Sequence, residues 1–423
     1  MIGLYIHIPF CERKCSYCAF YSFSKPWKNE RQFFQGLEKE IKNLDADFCP
    51  DTIFVGGGTP TAVSFQCLED FLPTLGKFSP AEFSVEVNPG TVDERKISQL
   101  INCGVNRISI GVQSFDFHCL ETLGRIHSAE EAEAAFQLAR AAGFENISLD
   151  LMFGVPGQTI EMLESDLDRA LALGPEHISI YNLMYEEGTP MAARSDRLDE
   201  EVEREMYDLI RKRLTGAGFE HYEISNFAKP GFECQHNLLY WTGGEYIGCG
   251  PSAHSHWQGT RWANVADLEG YCTIHKKERP TPPFGHPSRG GELGKEPTPP
   301  FRHPSRGGEL GGEEVGSVVE CSSRGEDEKI PLLGGVPEGR GGFSGWPARE
   351  FEEMLDPQAK ARETLVMGLR LLKGVDVSSK VWKNCSEKFQ TLEKEGLLVV
   401  EGHHVQLSEE ALFVSNAVFA ELV

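Results

Sequence analysis

Three cysteines, Cys11, Cys15 and Cys18, fall in a C-x3-C-x2-C spacing that places three thiols on one short loop. Structural zinc takes four ligands, usually from paired knuckles, and no second CxxC lies nearby. Three thiolates can instead hold three irons of a [4Fe-4S] cubane and leave the fourth iron open. An open iron can chelate the amino and carboxylate groups of S-adenosylmethionine (SAM). Electron transfer from the reduced cluster then splits its C–S bond and releases a 5′-deoxyadenosyl radical. The other cysteines, such as Cys67, Cys103 and Cys249, stand singly and read as small buried hydrophobes.

Several polar residues suit such a ligand. In Gly56-Gly57-Gly58-Thr59-Pro60 the glycines let backbone approach a ligand closely, and the threonine hydroxyl offers an ammonium an acceptor. Glu86 could take ribose hydroxyls, and Arg125 could pair with the methionine carboxylate. Gln113 and Asp150 could add polar contacts. Each alone reads equally well as a turn, a cap or a surface ion pair. Their weight comes from where the chain places them.

Apolar, β-branched runs at 4–9, 52–55, 83–87, 107–112, 147–153 and 177–183 alternate with amphipathic stretches at 30–44, 129–142, 160–173 and 200–214. That alternation implies βαβ units and a parallel sheet. Six such strands suit an α/β fold, either a partial (β/α)6 barrel or a doubly wound sheet, with chemistry at the C-terminal strand ends. The cysteine loop, the GGGTP run, Glu86-Val-Asn-Pro-Gly90, Gln113-Ser-Phe115 and Gly154-Val-Pro-Gly157 all follow strands, and Asp150 lies within the fifth. Residues 1–225 are therefore expected to form the barrel.

Residues 226–278 are expected to close its open side with short strands and loops. They carry His236-Asn-Leu-Leu-Tyr240-Trp241. Residues 279–345 are dense in Gly and Pro, and 281–294 recurs as 298–311 with Gly285 replaced by Arg302. Such a unit is too short and too polar to stack, so a disordered surface insertion is expected. Residues 346–423 read as a small winged-helix-like α+β domain: helices at 359–372 and 381–395, a strand pair at 397–401 and 404–407, and a last helix at 409–422.

Together, Tyr5-Ile-His-Ile-Pro-Phe-Cys11, the cysteine spacing, the GGGTP run, Gly111-Val-Gln-Ser114, Gly124-Arg125-Ile-His127 and Asp150-Leu-Met-Phe-Gly154 resemble the oxygen-independent coproporphyrinogen III oxidase group of radical-SAM proteins. The likeness spans residues 1–275 and 347–423. It implies a radical-SAM barrel with Tyr5 near the cluster-bound SAM. Gly57, Gly58 and Thr59 would hold its amino end, Glu86 its ribose, and Gln113, Arg125 and Asp150 the rest. The oxidase is expected to hold a second SAM, and Met184 resembles part of that region only loosely.

Two features depart from the oxidase. Its motif continues to a fourth cysteine where this chain has Phe20, and the HNLLYW run is similar to the signature of the HemW branch, the heme chaperones. That likeness implies heme as a ligand and an acceptor protein, such as a respiratory membrane protein, as partner. Histidine is a common axial ligand of heme iron. His236 is thus a candidate ligand, with Cys234 as rival and His254, His256 and His303 weaker. A packed histidine among aromatics is the plainer reading of the same residues.

Sixty-four acidic against 41 basic residues give a formal charge of −23, which opposes a sequence-independent grip on nucleic acid. No apolar run is long enough to span a membrane, and the N-terminus reads as a strand, so a cytoplasmic protein is expected, with peripheral membrane contact and a homodimer left open.

Overall fold

Alternation along six strands decides the architecture. In the computed structural model, which describes residues 1–45, 47–274 and 349–422, these strands lie side by side, each parallel to the next. They are β1 (Ile2–Ile8), β2 (Thr52–Gly57), β3 (Glu82–Val87), β4 (Arg107–Gln113), β5 (Asn146–Phe153) and β6 (His177–Asn182). Between them run α1 (Glu30–Lys42), α2 (Phe65–Phe71), α3 (Glu94–Asn102), α4 (Phe117–Leu123), α5 (Ala129–Ala142) and α6 (Ile160–Leu173), and α7 (Glu200–Gly216) follows β6.

Because successive side chains in a strand point to opposite faces, each strand carries two different sequences. Leu4, Ile6, Ile53, Val55, Val85, Ile108, Ile110 and Leu149 form one face and are fully buried in the main core. The intervening residues Tyr5, Phe54, Glu86, Ser109, Asp150 and Ser179 form the other and line one interior cavity. Register aligns them: Glu86 faces Ser109, Gly111 faces Asp150, and Asp150 faces Ser179. An apolar exterior under helices and a polar interior is what a partial (β/α)6 barrel needs if chemistry happens inside it.

The sheet continues on both sides. Beyond β6 come β7 (Glu220–Glu223) and β8 (Asn226–Ala228), with β8 antiparallel to both β6 and β7. Beyond β1 come β9 (Glu245–Cys249), parallel to β1, then β10 (His254–Trp257), β11 (Thr260–Asn264) and β12 (Arg349–Met354), each antiparallel to its neighbour. One 12-stranded sheet thus holds strands from both sides of residue 225 and from both sides of 275–348. The duplicated insertion lies outside the described residues.

Two helices in this region do the closing. The short helix α8 (Gln235–Trp241) carries the HNLLYW run, which the sequence reading assigned to strands and loops. Helix α9 (Leu268–Ile274) packs on α1 through the buried Glu40, which accepts hydrogen bonds from Tyr271 Oη, from Gly250 N at 2.9 Å and from Asn264 Nδ2 at 2.9 Å.

The C-terminal part is a small α+β unit. Asp356 caps α10 (Pro357–Gly368), and Ser378 caps α11 (Ser379–Lys394). Strands β13 (Val375–Asp376), β14 (Leu398–Glu401) and β15 (His404–Leu407) form a three-stranded antiparallel sheet. The last helix, α12 (Ser415–Leu422), starts later than its apolar spacing predicts. Ser408 captures the segment first: its hydroxyl and its carbonyl both accept from Ala411 N, so this stretch forms a turn.

Candidate functional site

The cysteine loop leaves β1 at its C-terminal end and is pinned to neighbouring rim loops. Ser16 N donates to Leu123 O at 3.1 Å, Ser16 Oγ to Thr122 O at 2.9 Å, and Met191 N to Ser16 O at 2.9 Å. Gly58 N donates to Ile8 O and Thr59 N to Phe10 O, so the GGGTP run holds the start of the loop. Its glycines are required by crowding. A Cβ on Gly58 would meet Phe10 O at 2.7 Å, and one on Gly57, whose φ is +106°, would meet the His7 ring at 2.5 Å.

Cys11 is buried beside Thr59, whose Oγ1 lies 3.8 Å from Cys11 Sγ. Arg125 Nη1 lies 3.4 Å from Cys15 Sγ. Burial pushes the Cys11 and Cys18 thiols above their ordinary range. Among the described residues no group of three His, Cys, Asp or Glu side chains is spaced to close on a single metal ion.

The residues singled out for SAM gather at the same end. Glu86 accepts from Gly57 N at 3.1 Å, and its carboxyl is pushed up to about 8, first by burial and then by the nearby Asp150. Asp150 accepts from Ser109 Oγ at 2.8 Å and is also raised, chiefly by burial. Arg125 Nη2 donates to Asn88 Oδ1 at 2.9 Å and to Gly111 O, while its Nε is buried without a partner among the described residues. An incoming carboxylate would satisfy that orphan, so the site fits SAM's methionine end. Gln113 adopts φ +67°, a left-handed conformation rare for a non-glycine, where the β4–β5 register shifts. Such strain concentrates at functional sites.

Tyr5 and His7 point inward from the same strand. Tyr5 Oη lies 3.0 Å from His7 Nδ1, and His7 Nε2 lies 2.8 Å from Tyr21 O. A carbonyl only accepts, so His7 carries its proton on Nε2 and receives the Tyr5 hydroxyl at Nδ1. His7, Asn88 and the buried Arg107 were not singled out from sequence. The period-two row of inward positions was the signal that could have found them.

His236 lies at the other end of the barrel. Its neighbours Gly3, Thr52 and Glu82 begin β1, β2 and β3. Nδ1 is 2.8 Å from Thr52 Oγ1, Nε2 is 2.8 Å from Tyr240 Oη, and the ring stacks on Phe54 at 5.3 Å. Burial lowers its pKa to about 3. An iron ligand needs a ring nitrogen facing open space, and both nitrogens here are engaged. Cys234 is fully buried, its thiol bonded to Glu82 Oε1 at 3.5 Å and pushed up to about 12 by burial. In this packing both His236 nitrogens and the Cys234 thiol already have hydrogen-bond partners. Helix α8 is a plug in the barrel floor. The adjacent cavity, about 190 Å³, is small beside the roughly 300–1,000 Å³ of ordinary ligand pockets. His254 is exposed on β10 and His256 is buried there; His303 lies outside the described residues.

Fold and cysteine site together define a radical-SAM protein, and residues 5–170 match the Radical SAM superfamily while 355–414 match the HemN C-terminal domain. That class carries a [4Fe-4S] cluster and SAM, which supply a carbon radical when bound. The fold is that of coproporphyrinogen III oxidase (HemN) from Escherichia coli, with TM-score 0.72 at 19% identity, covering 100% of this chain and 89% of that one. The chain is 42% identical over 287 residues to the heme chaperone HemW of Bacillus subtilis, covering 65% of this chain and 76% of that protein. It is 41% identical over 264 residues to the heme chaperone HemW of Escherichia coli, covering 60% and 69%. This chain belongs to the HemW family.

Proposed function

We propose that this protein is a heme chaperone: it holds a SAM-chelated [4Fe-4S] cluster, binds heme, and passes the heme to an acceptor protein, such as a membrane-bound respiratory protein. The observation that carries the reading is its extensive identity with HemW proteins. Phe20, where the oxidase resemblance calls for a fourth cysteine, agrees with it. Cys11, Cys15 and Cys18 are the cluster ligands in this reading. Tyr5, Gly57, Gly58, Thr59, Glu86, Gln113, Arg125 and Asp150 surround SAM. No helix among the described residues is long and apolar enough to cross a membrane.

The test is an anaerobic hemin titration of the cluster-reconstituted chain, followed at the Soret band. Saturation near one heme per chain is the expected result. Absence of saturable binding, or conversion of coproporphyrinogen III to protoporphyrinogen IX by the same preparation, would overturn the reading.

A further inference from the structure

Among the described residues, most large apolar side chains left in solvent crowd one end of the barrel. Phe20 (69% exposed), Phe23, Phe117 (76%), Ile126 (53%), Tyr181 and Met184 (57%) sit on loops, strand ends or, for Phe117, the first turn of a helix at the C-terminal mouth. Among the described residues only Met1, Met354 and Val399 are comparably exposed elsewhere. Phe20 and Phe23 belong to the cysteine loop itself. Ile126 follows Arg125, whose guanidinium touches Cys15, and Phe117 opens α4, whose far end accepts the hydrogen bond from Ser16 N. Met184 follows β6, and Tyr181 reaches from that strand into the interior cavity. An apolar ring around a cofactor mouth loses free energy to water unless something covers it.

On the cysteine-loop side of this ring the exposed charge is positive, whereas Glu186 and Glu187 are exposed beside Met184 on the other side. Arg13, Lys14 and Lys28 are exposed on the cysteine loop and its extension, and none forms an ion pair among the described residues. Lys14 Nζ donates to the backbone carbonyl Phe20 O at 3.0 Å, which holds an ammonium against the backbone of that exposed residue. This local excess of cations lies in a chain of formal charge −23. A flat apolar body with anionic groups at one edge matches both features.

We infer that the heme lies across this rim, on Phe20, Ile126 and Met184, with its propionates toward Lys14 and Arg13. The inference rests on the chaperone reading and adds where the cargo is held. The interior supports it by exclusion: the cavity above α8 is too small for a porphyrin, and the His236 nitrogens are occupied. A cargo on the outer rim is also exposed to a partner, as transfer requires.

The experiment compares hemin and hemin dimethyl ester in Soret titrations of the full reconstituted chain. The variants are Phe20→Asp/Met184→Asp, Lys14→Gln, Val399→Asp and His236→Gln, with iron and sulfide content measured for each. The rim pair is expected to weaken hemin at least ten-fold at unchanged cluster content. Lys14→Gln should weaken hemin but not the diester. Val399→Asp and His236→Gln should stay within two-fold of the parent. Parent-like hemin affinity in the rim pair with its cluster intact would overturn the inference. So would loss of binding in His236→Gln with its cluster intact, which returns the site to the floor. Failure of the unmodified chain to bind hemin would instead remove the chaperone reading itself.

Discussion

Arg125 Nη1 lies 3.4 Å from Cys15 Sγ while Nη2 of the same side chain reaches Asn88 Oδ1 at 2.9 Å. One guanidinium therefore ties the cysteine loop to the end of β3, and its unpartnered Nε leaves capacity for a ligand carboxylate. Hydrogen bonds to charged groups contribute about 1.5–3 kcal/mol. Arg125→Ala is accordingly expected to weaken SAM roughly 10- to 100-fold. Arg125→Lys should recover only part of this, because lysine lacks the planar fork. Equilibrium dialysis of SAM against reconstituted protein is the measurement, and wild-type affinity in Arg125→Ala would remove Arg125 from the ligand set.

His236 makes a prediction in pH. Burial holds its folded pKa near 3, below the ordinary histidine value of 6.5. Between those values the unfolded chain binds a proton that the folded chain refuses. The contribution of His236 to stability is therefore complete above pH 6.5 and is lost as pH falls toward 3, at about 1.4 kcal/mol per pH unit. Glu40 and Glu86 act in the opposite sense, since burial raises their carboxyls to about 7 and about 8. Their contributions are complete below pH 4.5 and fade as pH rises. Comparing wild type with His236→Gln in urea isolates the histidine. The gap in stability between them should shrink from pH 6 to pH 4, and a constant gap would contradict the assignment.

The six parallel strands were legible because each holds an unbroken alternate row of Leu, Ile, Val or Phe, and the motifs that follow them carry the chemistry. The opposite row was harder to read. Gly3, Thr52, Glu82 and Arg107 look like scattered strand-start residues, and only the register of the sheet shows that they share one end of the barrel interior. Residues 235–241 were missed as a helix because the run is short and its aromatics suggest strands. The bonds that fix it, from Gln235 N and His236 N to Glu82, span about 150 positions and leave no local trace. Histidine beside Tyr and Trp is the same string whether it holds iron or a hydrogen bond. Tertiary packing decides which.

Trp241, the last residue of α8, lies under the Arg370 guanidinium at 4.3 Å from ring centroid to Cζ. Arg370 Nη2 also pairs at 3.1 Å with Glu223, which has no exposed surface. Arg370 follows α10, so the pair joins the C-terminal part to the barrel floor. Removing the arginine strands a buried carboxylate, although Ser225 N and Asn226 Nδ2 still bond to it. Arg370→Ala is expected to cost on the order of 3 kcal/mol. Trp241→Leu, which removes only the stacking, should cost about 1 kcal/mol beyond its lost area. Urea midpoints test both, and near-neutral behaviour of Arg370→Ala would show that the floor and the C-terminal part are held by other contacts.

Deleting residues 281–342 tests whether the duplicated insertion matters to the fold. The chain on each side is anchored without it. Before it, Leu268 N donates to Tyr21 Oη at 2.7 Å, and Tyr271 Oη donates to the buried Glu40. After it, β12 pairs along β11 from Thr260–Met354 to Asn264–Arg349, and Arg261 forms an ion pair with Glu363 on α10. The deleted chain keeps a few residues on each side as a connector, and shortening a loop lowers the entropy of closing it. The shortened protein is expected to be soluble, to unfold within about 1 kcal/mol of the parent, and to take up the same iron. Insoluble protein, or a cluster content below the parent's, would mean that the insertion supports the barrel. Intact cluster and hemin binding with failed transfer would place its role at the acceptor.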